Sequence, residues 1–580
     1  MARIVLALLA AVPLAAQIPA QDSRNTDLPG TNTHFRMPVY RTLAEWEARK
    51  AQLRKQILSA AGLLPMPEKT PLHPQVFGRI ENKDYSIEKV LLETLPGYYL
   101  GGNLYRPLGK PGRLPGIVSP HGHWNYGRLE HQPLGSIPAR CISLARQGHV
   151  VFAYDMVGVN DTIQTPHRFG TPRQQLWAFG PLGLQTWNSI RAVDFMQSLP
   201  DVDPDRIAAT GASGGGTQTF ILTAVDDRVK YSAPVNMISG IMQGGCDCEN
   251  APNLRLGCNN MEIGAMMAPR PLMMVSATGD WTRNTPREEF PAIQSIYQLY
   301  GKPGDVETVL IDAPHNYNQA SREAVYRFFG KRILGDADAS KFRERNIRVE
   351  YLQDMLALHN RTLPPGALTY QQVFEEWIAI AKAQNAAPGG KDAVRERLAL
   401  ALAAEWPAKV VSEGQGEHMV LGRPGVGDRI PAIYVPGKGT PALVLHREGA
   451  EAARRSPEAQ ALLRSGVPVL FIDAFQTGSA VAPRDQSAPH FLTFNKTDDA
   501  NRVQDILTAL AFLNRPGVKL VGLGKAAVWC TFAAAVAKTP VVLQADLGGF
   551  RGEDQDFIDS FFVPCIQRAG GLKAALAVAR

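Results

Sequence analysis

The chain has 580 residues, of which 45% are hydrophobic and 20% are charged, and its formal net charge is +7. This composition is typical of a globular protein, and the length exceeds what one hydrophobic core supports, so we expect at least two domains. The positive charge is small and spread along the chain, which excludes the basic stripe of a nucleic-acid-binding protein.

The N-terminus has the pattern of a secretory signal peptide. Arg3 is followed by a short apolar run over residues 4–16 and by small residues that suit cleavage after Ala16 or Ala20. The run is too short to span a membrane, and no later stretch is long and apolar enough. We therefore assign residues 1–20 to a signal peptide and expect a secreted or periplasmic protein. A retained N-terminal anchor is the alternative.

The next segments change from an extended arm to a regular alternation of strands and helices. Residues 21–75 predict an arm and an amphipathic helix, and three strand-like runs with the look of antiparallel lead-in strands follow. From residue 114 strands alternate with helices, which predicts a mostly parallel sheet with helices on both faces. We assign residues 76–335 to this domain.

A glycine-rich sequence joins a strand to a helix near the middle of this domain. It reads Gly211-Ala-Ser213-Gly-Gly215. A nucleophilic serine on a sharp, strained turn needs small residues two positions before and after it. The following helix N-terminus favours negative charge beside the hydroxyl. We predict that Ser213 is a nucleophile; an incidental serine in a glycine-rich turn is the alternative.

Two further polar residues follow later strands of the same domain. Asp280 comes after the strand at 271–276, and His315 comes after the strand at 306–311. The carboxyl ends of parallel strands meet at one edge of a sheet, so Ser213, Asp280 and His315 are expected to converge there. His315 would act as the base, and Asp280 would hold its tautomer. Glu288 and Asp312 are alternatives for the acid.

The sequence His121-Gly-His123-Trp124 follows the strand that ends at residue 119. In this position a backbone N–H stabilises the oxyanion of an acyl-transfer reaction. We predict Gly214 N–H as one donor and His123 N–H as the other, with Trp124 N–H as a substitute. Trp124 and Trp281 are predicted to stack on sugar rings. A tight turn with solvent-facing histidines and ordinary loop packing is the alternative.

The six cysteines include the pair Cys246-Asp-Cys248, with Cys258 nearby and Cys141 as a possible partner. Export permits disulfides, whereas C-x-C plus one cysteine is a weak zinc signal. We therefore predict disulfide or plain loop cysteines, with the pairing open, and neither a metal nor a cofactor.

The second half of the chain repeats motifs of the first half. Residues 502–510 match residues 191–199, and Gly524 stands at the same distance after Arg502 as Ser213 does after Arg191. The strands that carry Asp280 and His315 have no counterpart there. The repeat predicts a truncated, catalytically inert α/β domain over residues 391–580, joined through a helical linker over residues 336–390. Chance similarity of two βα units is the alternative.

With these motifs, residues 75–335 resemble secreted α/β-hydrolases of the acetyl xylan esterase and dienelactone-hydrolase-like group. The resemblance implies the α/β-hydrolase fold and cofactor-free hydrolysis of short acyl esters on plant polysaccharide, through an acyl-enzyme on Ser213. The expected partner is a small-molecule or polysaccharide ester; neither nucleic acid nor a membrane span is expected, and the oligomeric state is open. A serine peptidase of the prolyl-oligopeptidase type and a non-catalytic carbohydrate-binding or scaffold protein are the alternatives.

Overall fold

The computed structural model describes residues 18–387 and 389–579. The predicted signal peptide lies outside the described residues except for its last three positions. Two large β-sheets are flanked by helices, which confirms the predicted α/β-hydrolase fold with a second sheet domain. The limits that the sequence predicts for the domains stay predictions.

The strands of both sheets and of one small hairpin are, in chain order, β1 (Gln75–Glu81), β2 (Tyr85–Leu95), β3 (Tyr98–Pro107), β4 (Leu114–Val118), β5 (His131–Gln132), β6 (Gly135–Ser136), β7 (Val150–Tyr154), β8 (Val202–Ala212), β9 (Val229–Val235), β10 (Leu272–Gly279), β11 (Val306–Pro314), β12 (Val411–Gln415), β13 (His418–Gly422), β14 (Ile430–Val435), β15 (Ala442–His446), β16 (Val469–Ile472), β17 (Val518–Leu523) and β18 (Val541–Ala545).

The α-helices are α1 (Ser23–Thr26), α2 (Leu43–Ala60), α3 (Ile137–Gln147), α4 (Pro172–Leu176), α5 (Pro181–Ser198), α6 (Gly214–Val225), α7 (Asn260–Ala265), α8 (Glu289–Leu299), α9 (Gln319–Phe329), α10 (Leu352–Met355), α11 (Tyr370–Ala386), α12 (Lys391–Leu402), α13 (Ala450–Arg455), α14 (Pro457–Arg464), α15 (Phe491–Phe494), α16 (Asp498–Leu513), α17 (Ala526–Val536), α18 (Asp554–Ser560) and α19 (Gly571–Val578). Short turns of other helix types are Gly127–Leu129, Pro303–Asp305, Gly330–Leu334, Ala339–Phe342 and Gly478–Ala480.

The larger sheet has nine strands in the order β1-β2-β3-β7-β4-β8-β9-β10-β11. β1, β2 and β3 are antiparallel lead-in strands, as predicted, and every neighbouring pair from β7 to β11 is parallel. Successive residues of β4 face opposite sides: Ile117 and Val118 are both buried but belong to different apolar clusters. Because both faces of the sheet are covered, the sequences of such strands are continuous apolar runs.

The second sheet has seven strands in the order β12-β13-β14-β16-β15-β17-β18. β12, β13 and β14 are antiparallel lead-in strands, and the pairs from β16 to β18 are parallel. Strand by strand, this is the order and direction of the first seven strands of the larger sheet. Within the described residues, the second sheet has no counterpart of β10 and β11. Neither large sheet is a four-stranded blade of the kind that builds propellers.

One apolar core runs through both halves of the chain. A single cluster of buried residues includes Trp46 on α2, Trp377 on α11, Leu398 on α12 and Trp529 on α17. Polar contacts cross the same boundary, since the Arg568 guanidinium donates to the carbonyl oxygens of residues 62 and 65 at 2.9 and 2.7 Å. The two halves are therefore joined by buried surface rather than by the linker alone.

Of the helices that the structure describes, none is both long and apolar enough to cross a membrane.

We expect His149 to make the protein less stable in mild acid. The imidazole is buried, its Nδ1–H donates to Leu144 O at 3.2 Å, and burial lowers its pKa to about 4. In the unfolded chain the pKa returns to about 6.5. Between these two pH values the unfolded state binds a proton that the folded state does not. The free energy of unfolding therefore decreases as the pH decreases, by up to about 1.4 kcal/mol per pH unit.

The measurement is urea unfolding of the wild type, His149→Gln and the exposed-site control His359→Gln between pH 7.5 and about 4. The stability difference between wild type and His149→Gln should shrink as the pH falls, while His359→Gln tracks the wild type. Parallel pH profiles for all three proteins would contradict this assignment.

Candidate functional site

Ser213 lies on a strained turn between β8 and α6. Its φ of +59° and ψ of −127° are rare for a residue with a side chain. Ser213 N–H donates to Val235 O at 3.1 Å, so the turn is fixed to the end of the neighbouring strand β9. The geometry is that of a nucleophile elbow, with the hydroxyl at the N-terminus of a helix.

The two outer glycines of the elbow are required because backbone crowds them. A Cβ at Gly211 would lie 2.6 Å from both Gly215 O and Pro120 O, and a Cβ at Gly215 would lie 2.8 Å from His121 O. These distances are shorter than any real Cβ contact, and the opposing atoms belong to backbone that cannot move aside alone. The two glycines are therefore needed because the elbow and the loop after β4 lie so close together.

Asp280 and His315 meet at the carboxyl edge of the larger sheet. Asp280 Oδ2 lies 2.7 Å from His315 Nδ1, and the carboxylate is buried. Its other oxygen accepts from Thr282 N and Oγ1 at 2.7 and 2.6 Å, which orients the group. The two alternative acids are occupied elsewhere: Glu288 contacts His34, and Asp312 accepts from Thr278.

The segment that carries His315 is tied to the elbow through buried hydrogen bonds. Thr210 Oγ1 lies 2.7 Å from Tyr317 Oη, and Asn236 Nδ2 donates to Asn316 O at 2.9 Å. His315 Nε2 is buried and has no hydrogen-bond partner among the residues that the structure describes. This nitrogen is therefore available to a hydroxyl or a water molecule.

The loop after β4 also approaches the elbow through His123. A Cβ at Gly214 would lie 2.6 Å from His123 Cε1, so the imidazole covers the first residue of α6. Trp124 N–H donates to Gly122 O at 2.9 Å, whereas His123 N–H has no acceptor within the described part of the chain. Of the two predicted candidates for the second oxyanion donor, His123 is thus the one with a free N–H.

A buried neutral histidine holds this loop in place. His121 Nδ1 lies 2.7 Å from Gly122 O, and its Nε2 accepts from Met156 N at 2.9 Å. Burial lowers the pKa of His121 to about 3, so the ring is neutral and its Nδ1 carries the proton. No role for His121 was predicted from the sequence, although its position two residues before His123 marks it as part of the same loop.

The two tryptophans predicted to bind sugar are half-buried at this edge. The Trp281 ring lies 4.4 Å from the His315 ring, centroid to centroid. Trp124 lies over Gly135, where a Cβ would come within 2.8 Å of the indole. Both rings therefore have a packing role, and contact with sugar stays a prediction.

The sequence left disulfides and plain loop cysteines open as alternatives, and the structure shows no disulfide between the cysteines. All six are free and buried. Instead, Cys246 and Cys248 lie beside two imidazoles, those of His123 and His167, and the four potential ligand atoms lie within 4.8 Å of one another. The cysteine spacing alone does not point to the histidines, because these come from two other loops.

The chain is similar in sequence to known proteins. The acetyl xylan esterase (AXE1) family model matches residues 186–237, which include the elbow. Putative hydrolase YtaP of Bacillus subtilis is 26% identical over 312 residues, covering 49% of this chain and 99% of that protein. Uncharacterized protein PA2218 of Pseudomonas aeruginosa is 29% identical over 143 residues, covering 24% of this chain and 34% of that protein.

Among solved structures, methylesterase BT1017 is similar at a TM-score of 0.51 and 30% identity, over 62% of this chain and 77% of that one.

We expect Gly211→Ala to destabilise the protein by about 2–3 kcal/mol, because the new methyl group meets backbone on two sides. Gly180→Ala is the matched control, since a Cβ there meets nothing within 4 Å. Urea unfolding of both variants measures the difference. Equal stabilities for Gly211→Ala and Gly180→Ala would show that the loop after β4 can retreat from the elbow.

Proposed function

Since the chain belongs to the same family of α/β-hydrolase-fold esterases as methylesterase BT1017, we propose that it hydrolyses carbohydrate esters with Ser213, His315 and Asp280 as a triad. The observation that carries this proposal is the coincidence of a strained elbow serine with a histidine that is hydrogen-bonded to a buried aspartate at the same sheet edge. The order of the three residues along the chain is also that of this fold.

In the proposed mechanism, His315 Nε2 accepts the proton of the Ser213 hydroxyl while Oγ attacks the ester carbonyl. Asp280 holds Nδ1–H at 2.7 Å, which keeps Nε2 as the basic nitrogen and stabilises the imidazolium that forms. The proton then passes to the leaving alcohol. Water, activated by the same nitrogen, hydrolyses the acyl-enzyme and restores the serine.

The negative charge of the tetrahedral intermediate would develop between the elbow and the loop after β4. Gly214 N–H belongs to the first turn of α6, where backbone N–H groups are unpaired. His123 belongs to the loop that approaches the elbow, and its N–H has no protein acceptor in the described structure. Two fixed donors of this kind each contribute about 10²–10³ to the rate.

For the substrate, we propose acetyl groups on plant polysaccharide. The match of residues 186–237 to the acetyl xylan esterase family supports this choice. A second candidate is a methyl ester of a sugar carboxylate, which the likeness to a methylesterase favours. The two differ in which side of the ester carries the sugar: an acetyl ester leaves acetate as the acid product, and a methyl ester releases methanol.

We also propose that the protein is secreted after cleavage behind Ala16. Residues 18 and 19 are part of the folded structure: Ile18 is buried, its N–H donates to Glu413 Oε1 at 2.7 Å, and Pro19 O accepts from Arg429 at 2.9 Å. Cleavage after Ala20 would remove these contacts, so the earlier site is favoured.

The catalytic test measures p-nitrophenyl acetate hydrolysis by the wild type, Ser213→Ala and Asp280→Asn. We expect kcat to fall by ~10³-fold or more in both variants, because each loses one triad function. Asp312→Asn is the matched control, since Asp312 binds Thr278 rather than His315, and its kcat should stay near the wild-type value. Activity that survives Ser213→Ala would refute the proposed nucleophile.

With the same preparations, acetate release from acetylated xylan and methanol release from a methyl-esterified uronan decide between the two substrates.

N-terminal sequencing of the protein exported from an expressing cell tests the cleavage site. We expect the mature chain to begin at Gln17, so that Ile18 keeps its contact with Glu413 in the second half of the chain. A chain that begins at Gln21, or one that still carries Met1, would contradict the proposal.

A further inference from the structure

Three separate loops bring two imidazoles and two thiols together beside the elbow. His123 follows β4, His167 lies in the loop after β7, and Cys246 and Cys248 lie in the loop between β9 and α7. The two sulfur atoms are buried, with Met156 and Val159 packed around them. None of these four side chains is needed for the proposed triad.

Their spacing fits a tetrahedral metal ion. His123 Nε2 lies 3.1 Å from Cys248 Sγ, and His167 Nε2 lies 3.4 Å from Cys246 Sγ. Bonds of 2.3 Å to sulfur and about 2.0–2.1 Å to nitrogen place the ligands of a tetrahedral Zn²⁺ about 3.3–3.8 Å apart. All four atoms already lie within 4.8 Å of one another, so small side-chain movements complete the tetrahedron.

The surrounding residues orient the ligands. His167 Nδ1 lies 2.6 Å from Val157 O, which fixes the tautomer that leaves Nε2 free to bind a metal. Glu249 Oε2 accepts from Gly245 N at 3.0 Å and Cys246 N at 3.2 Å. Its other oxygen accepts from Thr217 Oγ1 on α6 at 2.9 Å, which anchors the cysteine turn to the helix of the elbow.

We propose that His123, His167, Cys246 and Cys248 bind one Zn²⁺ ion. Thiolate and imidazole ligands select zinc over magnesium or calcium, and two thiolates balance the charge of the ion in a buried place. Four protein ligands fill the tetrahedron, so the site is structural rather than catalytic. The ion joins three loops around Ser213 and fixes the residue whose backbone N–H is the proposed oxyanion donor.

Metal analysis of the purified full-length protein, expressed with zinc in the medium, tests the site directly. We expect ~1 zinc per chain. Removal by 1,10-phenanthroline should lower the thermal midpoint by about 5 °C, and Zn²⁺ but not Mg²⁺ should restore it. Reconstitution of the wild type with Co²⁺ should give the visible bands of tetrahedral cobalt and a thiolate charge-transfer band, without reliance on any variant.

Variants identify the ligands. His167→Gln and Cys246→Ser should each lower the zinc affinity by ~10-fold to 100-fold, because each removes one ligand. Cys258→Ser is the matched control, since Cys258 is a buried free cysteine near the same loop but outside the cluster. Ser213→Ala should bind zinc like the wild type, so that failure of the esterase proposal and failure of the metal proposal are distinguishable.

Three results would each overturn the proposal. The first is a zinc content far below one per chain together with the absence of a cobalt–thiolate spectrum. The second is a Cys246–Cys248 disulfide in the mass spectrum of the purified protein. The third is alkylation of both thiols in the metal-free protein at a rate that added Zn²⁺ does not change.

Discussion

The contact between the elbow and the loop after β4 is the constraint on which the candidate site depends. The carbonyl oxygens of Pro120 and His121 lie so close to Gly211 and Gly215 that neither glycine can carry a side chain. The same contact places the His123 ring over Gly214. A nucleophile and an oxyanion donor on different elements can keep a fixed separation only if such a backbone contact holds them.

The second half of the chain contributes to this arrangement although its own elbow position is a glycine. Gly524 has a φ of +58°, close to the value of Ser213, so the turn survives without the hydroxyl. Asn253 N and Arg255 N donate to the carbonyl oxygens of Leu492 and Thr493 at 2.8 and 2.9 Å. The second half therefore supports the loop that carries Cys246 and Cys248.

A cavity of about 470 Å³ opens at the same boundary, and its lining includes Asp247 and His490, whose side chains lie 3.5 Å apart. The contacts across the boundary give the second half a structural role, because its buried surface completes the core that α2 and α12 share. A shared apolar core of this kind opposes movement of the two halves relative to each other.

Local signals were sufficient to predict the elbow, the lead-in strands and the alternation of strands and helices. Each depends on residues near one another in the chain: glycine spacing around Ser213, and the period of apolar residues. The convergence of Ser213, Asp280 and His315 could also be predicted from their places after successive strands, because parallel strands bring their carboxyl ends to one edge of the sheet. The motif spacing also showed that Gly524 occupies, in the second half, the position that Ser213 occupies in the first half.

The sequence by itself determined the fold class and the residues proposed for the triad, since strand ends and turn chemistry are local properties. Only the tertiary structure decided which acid pairs with His315 and where the cysteines go. The sequence favoured Asp280 but left Glu288 and Asp312 as alternatives, and side-chain direction separates the three. His123, His167, Cys246 and Cys248 lie in three loops, and no periodicity connects them; their proximity is a property of loop packing at one sheet edge.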